Sequence, residues 1–128
     1  MIACWFDAFG AAHDVLQQGD WPTPEPGPGE VLVQLHTTGV NPSDVKNRAG
    51  GFPDLLAAGP VIPHSDGAGV ITAVGERVSP SRVDERVFVY QAQYGRQLGT
   101  AAETVALDST RAPVLPDNAS FEVGACIG

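Results

Sequence analysis

Cysteines and basic residues are scarce in this sequence. Only two cysteines occur in 128 residues, Cys4 and Cys126, and they lie at opposite ends with no CxxC spacing. A disulfide framework is therefore excluded, and a reducing cytoplasm is favoured. Seven Lys and Arg stand against 15 Asp and Glu, a net charge of −8. Because nucleic-acid binding depends on Lys and Arg neutralising phosphates, this balance argues against a nucleic-acid partner.

Long apolar runs are also missing. No segment approaches the ~20 apolar residues that a membrane span needs, so no membrane partner is expected. The N-terminus has neither a basic region nor a long apolar stretch, so it is not predicted to be a signal peptide. No GxGxxG or AxxGxxG fingerprint opens a helix after a strand, so a dinucleotide site is not predicted within these residues.

Glycine and proline are abundant. The 15 glycines and 11 prolines are scattered among apolar segments, and 43% of the residues are hydrophobic. Frequent turn formers between short apolar runs are typical of β-rich domains. The length suits one domain with a hydrophobic core. The composition therefore predicts a single domain that is mainly β with short helices.

The clearest strand signal is the run Glu30 to Val40, in which Val31, Val33 and Leu35 alternate with the intervening side chains. A short helix is predicted from Pro42 to Arg48, ended by Gly50 and Gly51. A second is predicted to begin at Phe121 after a capping segment at residues 117–120. Further strands are predicted at Ile2 to Phe6, Asp14 to Trp21, Gly67 to Val78, Arg86 to Tyr90 and Thr100 to Leu107.

Four segments in this order resemble the medium-chain dehydrogenase/reductase superfamily: GVNPSDVKNRAG (39–50), PVIPHSDGAGVITAVGERV (60–78), DERVFVY with GTAAETVAL (84–107), and LPDNASFEVGACIG (115–128). The resemblance implies that residues 1–128 form a GroES-like N-terminal catalytic domain, a partly open barrel that lacks the Rossmann domain. Residues 117–128 would begin the connection to the nucleotide-binding domain.

Two positions make the sequence similar to the zinc-independent, zeta-crystallin-like quinone oxidoreductase branch. Asn41 stands where zinc-dependent relatives carry Cys, and Ser65 stands where they carry His. An amide and a hydroxyl are poor ligands for zinc, which prefers thiolate and imidazole. No zinc is therefore expected. His64 is expected to line the cleft or pack locally rather than to bind a metal.

The resemblance implies an NADPH-dependent transfer of hydride to a quinone or similar electron-poor acceptor. Such a reaction calls for an apolar slot with a few polar groups and an aromatic wall. An enoyl or alkenal reductase of the same superfamily is one alternative. A truncated, non-catalytic binding or assembly module is another. Without the nucleotide-binding domain, the chain is expected to be inactive alone, with a sheet edge exposed for homodimerisation.

Asn41 is the residue to which the resemblance assigns a catalytic role, because the equivalent Asn faces the nicotinamide end of the cofactor. Turn formation before Pro42 is its alternative role. Phe52 and Lys46 stand where relatives often carry Tyr, and Arg48 is a candidate contact to an anionic substrate or a helix-terminal charge. The complete set of predicted pocket residues is Lys46, Arg48, Phe52, His64, Ser65, Tyr90 and Gln91.

Overall fold

The computed structural model describes residues 1–128 as six strands, three short helices and three 3₁₀ turns. The strands are β1 (Ile2–Trp5), β2 (Gln17–Asp20), β3 (Glu30–Gly39), β4 (Asp66–Val74), β5 (Arg86–Val89) and β6 (Thr104–Asp108). The helices are α1 (Ala12–Val15), α2 (Pro42–Arg48) and α3 (Phe121–Gly124), and the 3₁₀ turns are Pro53–Leu56, Pro80–Arg82 and Ser109–Arg111. The predicted mainly-β fold with short helices is confirmed. None of the helices has the length and hydropathy required to traverse a bilayer.

Two antiparallel sheets form the domain. The larger has the strand order β5-β4-β3-β6, and the smaller is the pair β1-β2. Isolated bridges such as Ala3 to Ala102 and Phe6 to Val61 join the small sheet to the rest of the chain. Neither sheet closes on itself, so the partly open barrel implied by the resemblance is confirmed.

The alternation on β3 determines which side chains enter the core. Val31 and Val33 are fully buried, whereas Gln34 is exposed. Their partners in the core come from β4, β5 and β6, from the loop that follows β5 and from the turn that follows β6. The nine buried residues of this cluster are Val31, Val33, Ile71, Val87, Val89, Ala92, Val105, Leu107 and Ala112.

A bulge interrupts the pairing of β3 with β4. Leu35 pairs with Gly69 and Thr37 pairs with Ala68, so His36 has no partner on β4. At Gly69 a Cβ atom would overlap the backbone carbonyl of Gln34. The close approach of the two backbones therefore requires glycine at this position, as predicted for the glycines of this segment.

Three predicted strands differ from the structure by three or more residues at one end. Residues 12–15 form one turn of α1, closed by a hydrogen bond from Leu16 N–H to Ala12 O, so β2 is shorter than predicted. β4 ends at Val74 because the chain turns at Gly75. β6 begins only at Thr104, since the N–H groups of residues 100 and 101 bond to the segment containing His64.

The outer edge of β5 is covered by a neighbouring segment. Phe88 N–H donates to Pro113 O, Tyr90 N–H donates to Arg111 O, and Leu115 N–H donates to Arg86 O. This edge is therefore not open along its length to a strand from another molecule. Homodimerisation through an exposed edge stays a prediction.

Candidate functional site

Asn41 lies at the start of α2, where extended backbone turns into helix. Its backbone N–H donates to Asp44 Oδ2 at 2.7 Å, and Asp44 N–H donates to Asn41 O at 3.0 Å. The Asn41 side-chain amide donates through Nδ2 to Asp66 Oδ2, on the first residue of β4. These bonds fix the orientation of the amide, with its nitrogen towards Asp66 and its oxygen turned away.

Asp44 ties the helix to the segment before β4. Its carboxylate is buried, with 6% of the residue exposed, and it accepts hydrogen bonds from both Asn41 N–H and His64 N–H (3.2 Å). At the helix start the Asp44 carboxylate thereby satisfies the backbone N–H of Asn41, the residue that caps α2. The same carboxylate also positions His64, which the sequence did not indicate.

A chain of hydroxyl groups connects β3 to the residues around His64. Thr38 Oγ1 lies 3.0 Å from His64 Nδ1 and 2.7 Å from Thr100 Oγ1. The fully buried Thr100 in turn donates to the backbone carbonyl of Asp66 at 2.6 Å. The ends of two strands, the start of α2 and the loop before β6 are thereby held together.

His64 adopts a backbone conformation that is uncommon for a residue with a side chain, with φ at 75°. The hydrogen bonds to Asp44 and Thr38 hold it there, and Thr100 N–H donates to its carbonyl at 2.9 Å. Burial lowers the pKa of the His64 imidazole below its usual range, although the negative charge of Asp44 acts in the opposite direction. The neutral imidazole is therefore favoured near neutral pH.

A cleft of about 470 Å³ opens beside the start of α2. It lies between this helix, the turn at Pro53–Leu56 and the loop that follows β5, and only three of its 11 lining residues are hydrophobic. Most of the exposed surface of the lining is nevertheless apolar, and amide and hydroxyl groups supply much of the polar part. The expected apolar slot with a few polar groups stays a prediction. The lining residues are Ser43, Asn47, Phe52, Asp54, Leu55, Ser65, Gln93, Tyr94, Gly95, Arg96 and Gln97.

Of the predicted pocket residues, the structure brings Phe52 and Ser65 to the cleft. Phe52 is 61% exposed and forms part of the rim. No hydrogen bond within the protein involves the hydroxyls of Ser65 or of Ser43, so both are available to a ligand.

The other predicted pocket residues lie outside the cleft lining. Lys46 is exposed on α2, and the Arg48 guanidinium donates to the carbonyl of Gly10. Tyr90 donates its hydroxyl to Thr110 O at 3.3 Å, and Gln91 is exposed with φ at 52°. His64 lies next to Ser65 but points to Thr38. Their roles in a pocket stay predictions.

Sequence reasoning missed the amide groups of the cleft. Asn47 Nδ2 donates to Gln93 Oε1 at 2.9 Å, and Gln93 Nε2 donates to Arg96 O at 3.0 Å. Gln97 Nε2 donates to Leu55 O at 3.2 Å. Asn47 and Gln93 are far apart in the sequence, so the only available signal was the cluster of polar residues after β5 in an otherwise apolar domain.

Arg96 attaches the loop that follows β5 to the sheet. Its Nη2 donates to Ala106 O at 2.6 Å on β6. Burial lowers the pKa of the Arg96 guanidinium, Glu30 acts against that shift, and Arg111 adds to it. The guanidinium therefore anchors the loop to the sheet, in addition to lining the cleft.

The C-terminal segment is fastened to β5 by Arg86. Its guanidinium donates to Ala119 O at 2.6 Å and lies 4.7 Å from the centre of the Phe121 ring. On β3, His36 stacks on the same ring with 4.3 Å between the ring centres. Arg86, His36 and Phe121 thus fix the position of α3 against the sheet.

The chain matches the sequence profile of the alcohol dehydrogenase GroES-like domain over residues 27–117. Mouse quinone oxidoreductase is 37% identical over 120 residues, which are 94% of this chain and 35% of that protein. The human synaptic vesicle membrane protein VAT-1 homolog is 35% identical over 93% of this chain and 29% of its own length. The chain thus spans about a third of the length of these curated relatives.

Solved structures of quinone oxidoreductases have the same fold over nearly the whole of this chain. The quinone oxidoreductase of Coxiella burnetii superposes with a TM-score of 0.90 at 28% identity, covering 99% of this chain and 40% of that one. Escherichia coli quinone oxidoreductase complexed with NADPH superposes with a TM-score of 0.87 at 25% identity, covering 100% of this chain and 37% of that one.

Proposed function

The chain belongs to the alcohol dehydrogenase GroES-like domain family, and on that basis we propose that it is the acceptor-binding part of an NADPH-dependent quinone oxidoreductase. The observation that carries the proposal is the fixed position of Asn41, two residues before Ser43 of the cleft lining: its side-chain amide donates to Asp66 and its backbone N–H donates to Asp44. Relatives of known structure include quinone oxidoreductases, one of them complexed with NADPH. The acceptor in the proposal is a quinone or a similar electron-poor carbonyl compound.

The residues at the site do not fit a catalytic zinc ion. Such an ion takes three protein ligands from thiolates, imidazoles and carboxylates. No three His, Cys, Asp or Glu side chains of the chain come together in this way. Asn41 and Ser65 offer an amide and a hydroxyl in their place, and the Asn41 nitrogen already donates to Asp66. Zinc independence is therefore part of the proposal.

The polar groups of Asn41, Ser43 and Ser65 are suited to contact one edge of a nicotinamide ring and the acceptor beside it. The bound cofactor would supply the hydride. Because Asp66 takes the nitrogen side of the Asn41 amide, the oxygen side is the part that can accept a hydrogen bond from a carboxamide. The hydroxyls of Ser43 and Ser65, which lie in the cleft, can donate to an acceptor oxygen as charge develops on it.

A cytoplasmic location is proposed from the two unpaired cysteines.

The test follows NADPH absorbance with a simple quinone. Three proteins are compared: the 128-residue chain, a longer protein in which a relative's nucleotide-binding domain follows it, and the longer protein with Asn41→Ala. We expect turnover only by the longer protein, because holding both rings in reactive geometry supplies ~7–11 kcal/mol of the barrier. Asn41→Ala should lower kcat/KM at least about tenfold, the effect of losing one well-placed hydrogen bond.

The matched control is Gln18→Ala, which removes an exposed amide on β2. This strand belongs to the smaller sheet and does not line the cleft. It should leave the turnover of the longer protein unchanged. Robust turnover by the 128-residue chain that disappears with Asn41→Ala would show that the nucleotide-binding domain is dispensable. Absence of turnover by a folded longer protein would refute the proposed activity and leave the non-catalytic module as the function to test.

An enone reductase is the second candidate, because the cleft combines apolar surface with amide and hydroxyl groups that an enone carbonyl can contact. Most of the exposed surface that lines the cleft is apolar and the rest is polar groups, so the lining does not distinguish a quinone from an enone. Replacing the quinone by an enone in the same assay separates the two activities.

A further inference from the structure

The floor of the cleft contains a hydrogen-bonded chain of amides with one unused acceptor. Asn47 Nδ2 donates to Gln93 Oε1, and Gln93 Nε2 donates to the carbonyl of Arg96. Gln93 is 5% exposed, so it is a buried link in this chain. The Asn47 Oδ1 atom is buried and has no hydrogen-bond partner in the protein. It is the only such side-chain atom in the chain.

The hydrogen bonds themselves fix which atom is left over. If the Gln93 amide were turned over, its oxygen would face the carbonyl oxygen of Arg96, and neither could donate. With Gln93 fixed, turning the Asn47 amide over would likewise bring two oxygens together. The unused atom is therefore an acceptor, and only a hydrogen-bond donor can satisfy it.

The neighbouring residues do not provide that donor. No donor of the chain makes a hydrogen bond to Asn47 Oδ1, including the remaining N–H groups of Gln97 and Arg96, whose other N–H groups donate to Leu55 O and Ala106 O. A buried acceptor without a partner is uncommon in folded proteins and calls for a specific explanation. Asn47 is half-buried and lines the cleft, so the cleft is the side from which a donor can come.

We propose that Asn47 determines the specificity of the cleft, and that the acceptor it takes is a neutral carbonyl compound that carries a hydroxyl group. The proposal rests on the proposed function for the carbonyl part of the ligand. A small rotation of the Asn47 side chain turns Oδ1 towards the cleft, where the ligand hydroxyl donates to it. A site built around a polar partner rejects the analogue that lacks the partner more strongly than an apolar pocket rejects an added group.

The experiment uses two probes that differ only at the hydroxyl: 4-(4-hydroxyphenyl)but-3-en-2-one and its methyl ether. Each is titrated into the ¹⁵N-labelled 128-residue chain, and Kd is obtained from the chemical shifts of the cleft amides, including the Asn47 side chain. We expect the phenol to bind about tenfold more tightly than the ether, the ratio for one hydrogen bond to an otherwise unpaired acceptor.

Asn47→Leu removes the acceptor and should bring the ratio to about one by weakening the phenol alone. Asn47→Ser is the second variant, because it keeps a polar side chain but no longer places an acceptor at the position of Oδ1; the ratio should fall here too. Gln18→Leu is the matched control on β2 and should keep the wild-type ratio. Dispersed spectra show that each variant is folded.

Equal affinities in the wild-type chain, binding of neither probe, or a preference that persists in both Asn47 variants would each overturn the inference. These outcomes are distinct from failure of the proposed function, which is measured by NADPH oxidation in the longer protein. A longer protein that reduces a plain quinone while its cleft ignores the hydroxyl would refute the role of Asn47 alone.

Discussion

The interior of the barrel and the cleft end of the same sheet are built on different principles. The interior cluster consists only of Val, Ile, Leu and Ala side chains, all of them buried. The four buried polar residues, Asp44, Asp66, Gln93 and Thr100, all lie at the other end. There the chain satisfies polar groups through loops and strand ends, whereas the interior relies on the removal of apolar surface from water. We therefore expect the apolar interior to contribute most of the free energy of unfolding, whereas the buried polar groups lie at the cleft end.

The strongest test of this difference is a cavity in the interior. Ile71→Ala removes a fully buried side chain in the centre of the core cluster. We expect the free energy of unfolding to fall by about 3–4 kcal/mol, from lost burial and from the cavity that remains. Urea denaturation measures the change. Val123→Ala, at a position 54% exposed, is the control and should change it by less than about 0.5 kcal/mol. Similar losses for both variants would show that the assigned core is not the stabilising one.

A second test addresses the strand that runs from the interior to the cleft. Gly69→Ala places a methyl group on the Gln34 carbonyl, so β3 and β4 must separate at the bulge. We expect a loss of about 2 kcal/mol, within the range of overpacked sites. Thr38 and Asp66 should also move apart, which NMR shifts of their amides will detect.

Gly27→Ala is the matched control for that substitution. A Cβ at this position would lie 3.4 Å from Glu30 Oε2, an ordinary contact. Its unfolding midpoint should stay close to that of the original chain. A Gly69→Ala variant of unchanged stability would contradict the close approach of the two strands.

The smallest expected effect is the pH dependence at the cleft end. Burial lowers the pKa of His64 from 6.5, so between its folded value and 6.5 the unfolded chain binds more protons than the folded one. The favourable contribution of neutral His64 is present in full above about pH 6.5 and is lost as pH falls below it. The loss should stay below about 1 kcal/mol, because the half-buried ring is screened by solvent.

His64→Asn isolates this contribution. Asn tolerates the positive φ of the position but does not titrate in this range. Urea midpoints at pH 7.5 and 5.5 should therefore differ less in the variant than in the original chain. Equal pH dependence in the two proteins would assign the effect to other groups.

The fold was largely predictable because local patterns determine most of it. The alternation on β3 buries Val31 and Val33, and the residues around Pro42 and Ser120 form the helix starts that their side chains favour. The exceptions are short. The single turn of α1 is closed by local hydrogen bonds, whereas the late start of β6 depends on bonds from residues 100 and 101 to the distant segment that contains His64, which propensity does not report.

The candidate site was predictable only where a motif marks it. Asn41, Phe52 and Ser65 were found from the segments that resemble the family; Phe52 and Ser65 line the cleft, and Asn41 lies at the start of α2, hydrogen-bonded to Asp66. Tyr90 and Gln91 were expected at the cleft because they end a strand, but the chain turns at Gln91 and brings Gln93 there instead. A difference of two residues in a loop decides which side chain lines the cleft.

The sequence by itself determined the class of fold, the apolar face of each main strand and the presence of an amide at Asn41 and a hydroxyl at Ser65. These properties depend on residue type and short spacing, which are local. Only the tertiary structure decided that Asn47 meets Gln93, that Asp44 holds both Asn41 and His64, and that one amide oxygen lacks a partner. Hydrogen bonds are short and directional, so their pairing follows from how distant segments cross and not from the order of residues along the chain.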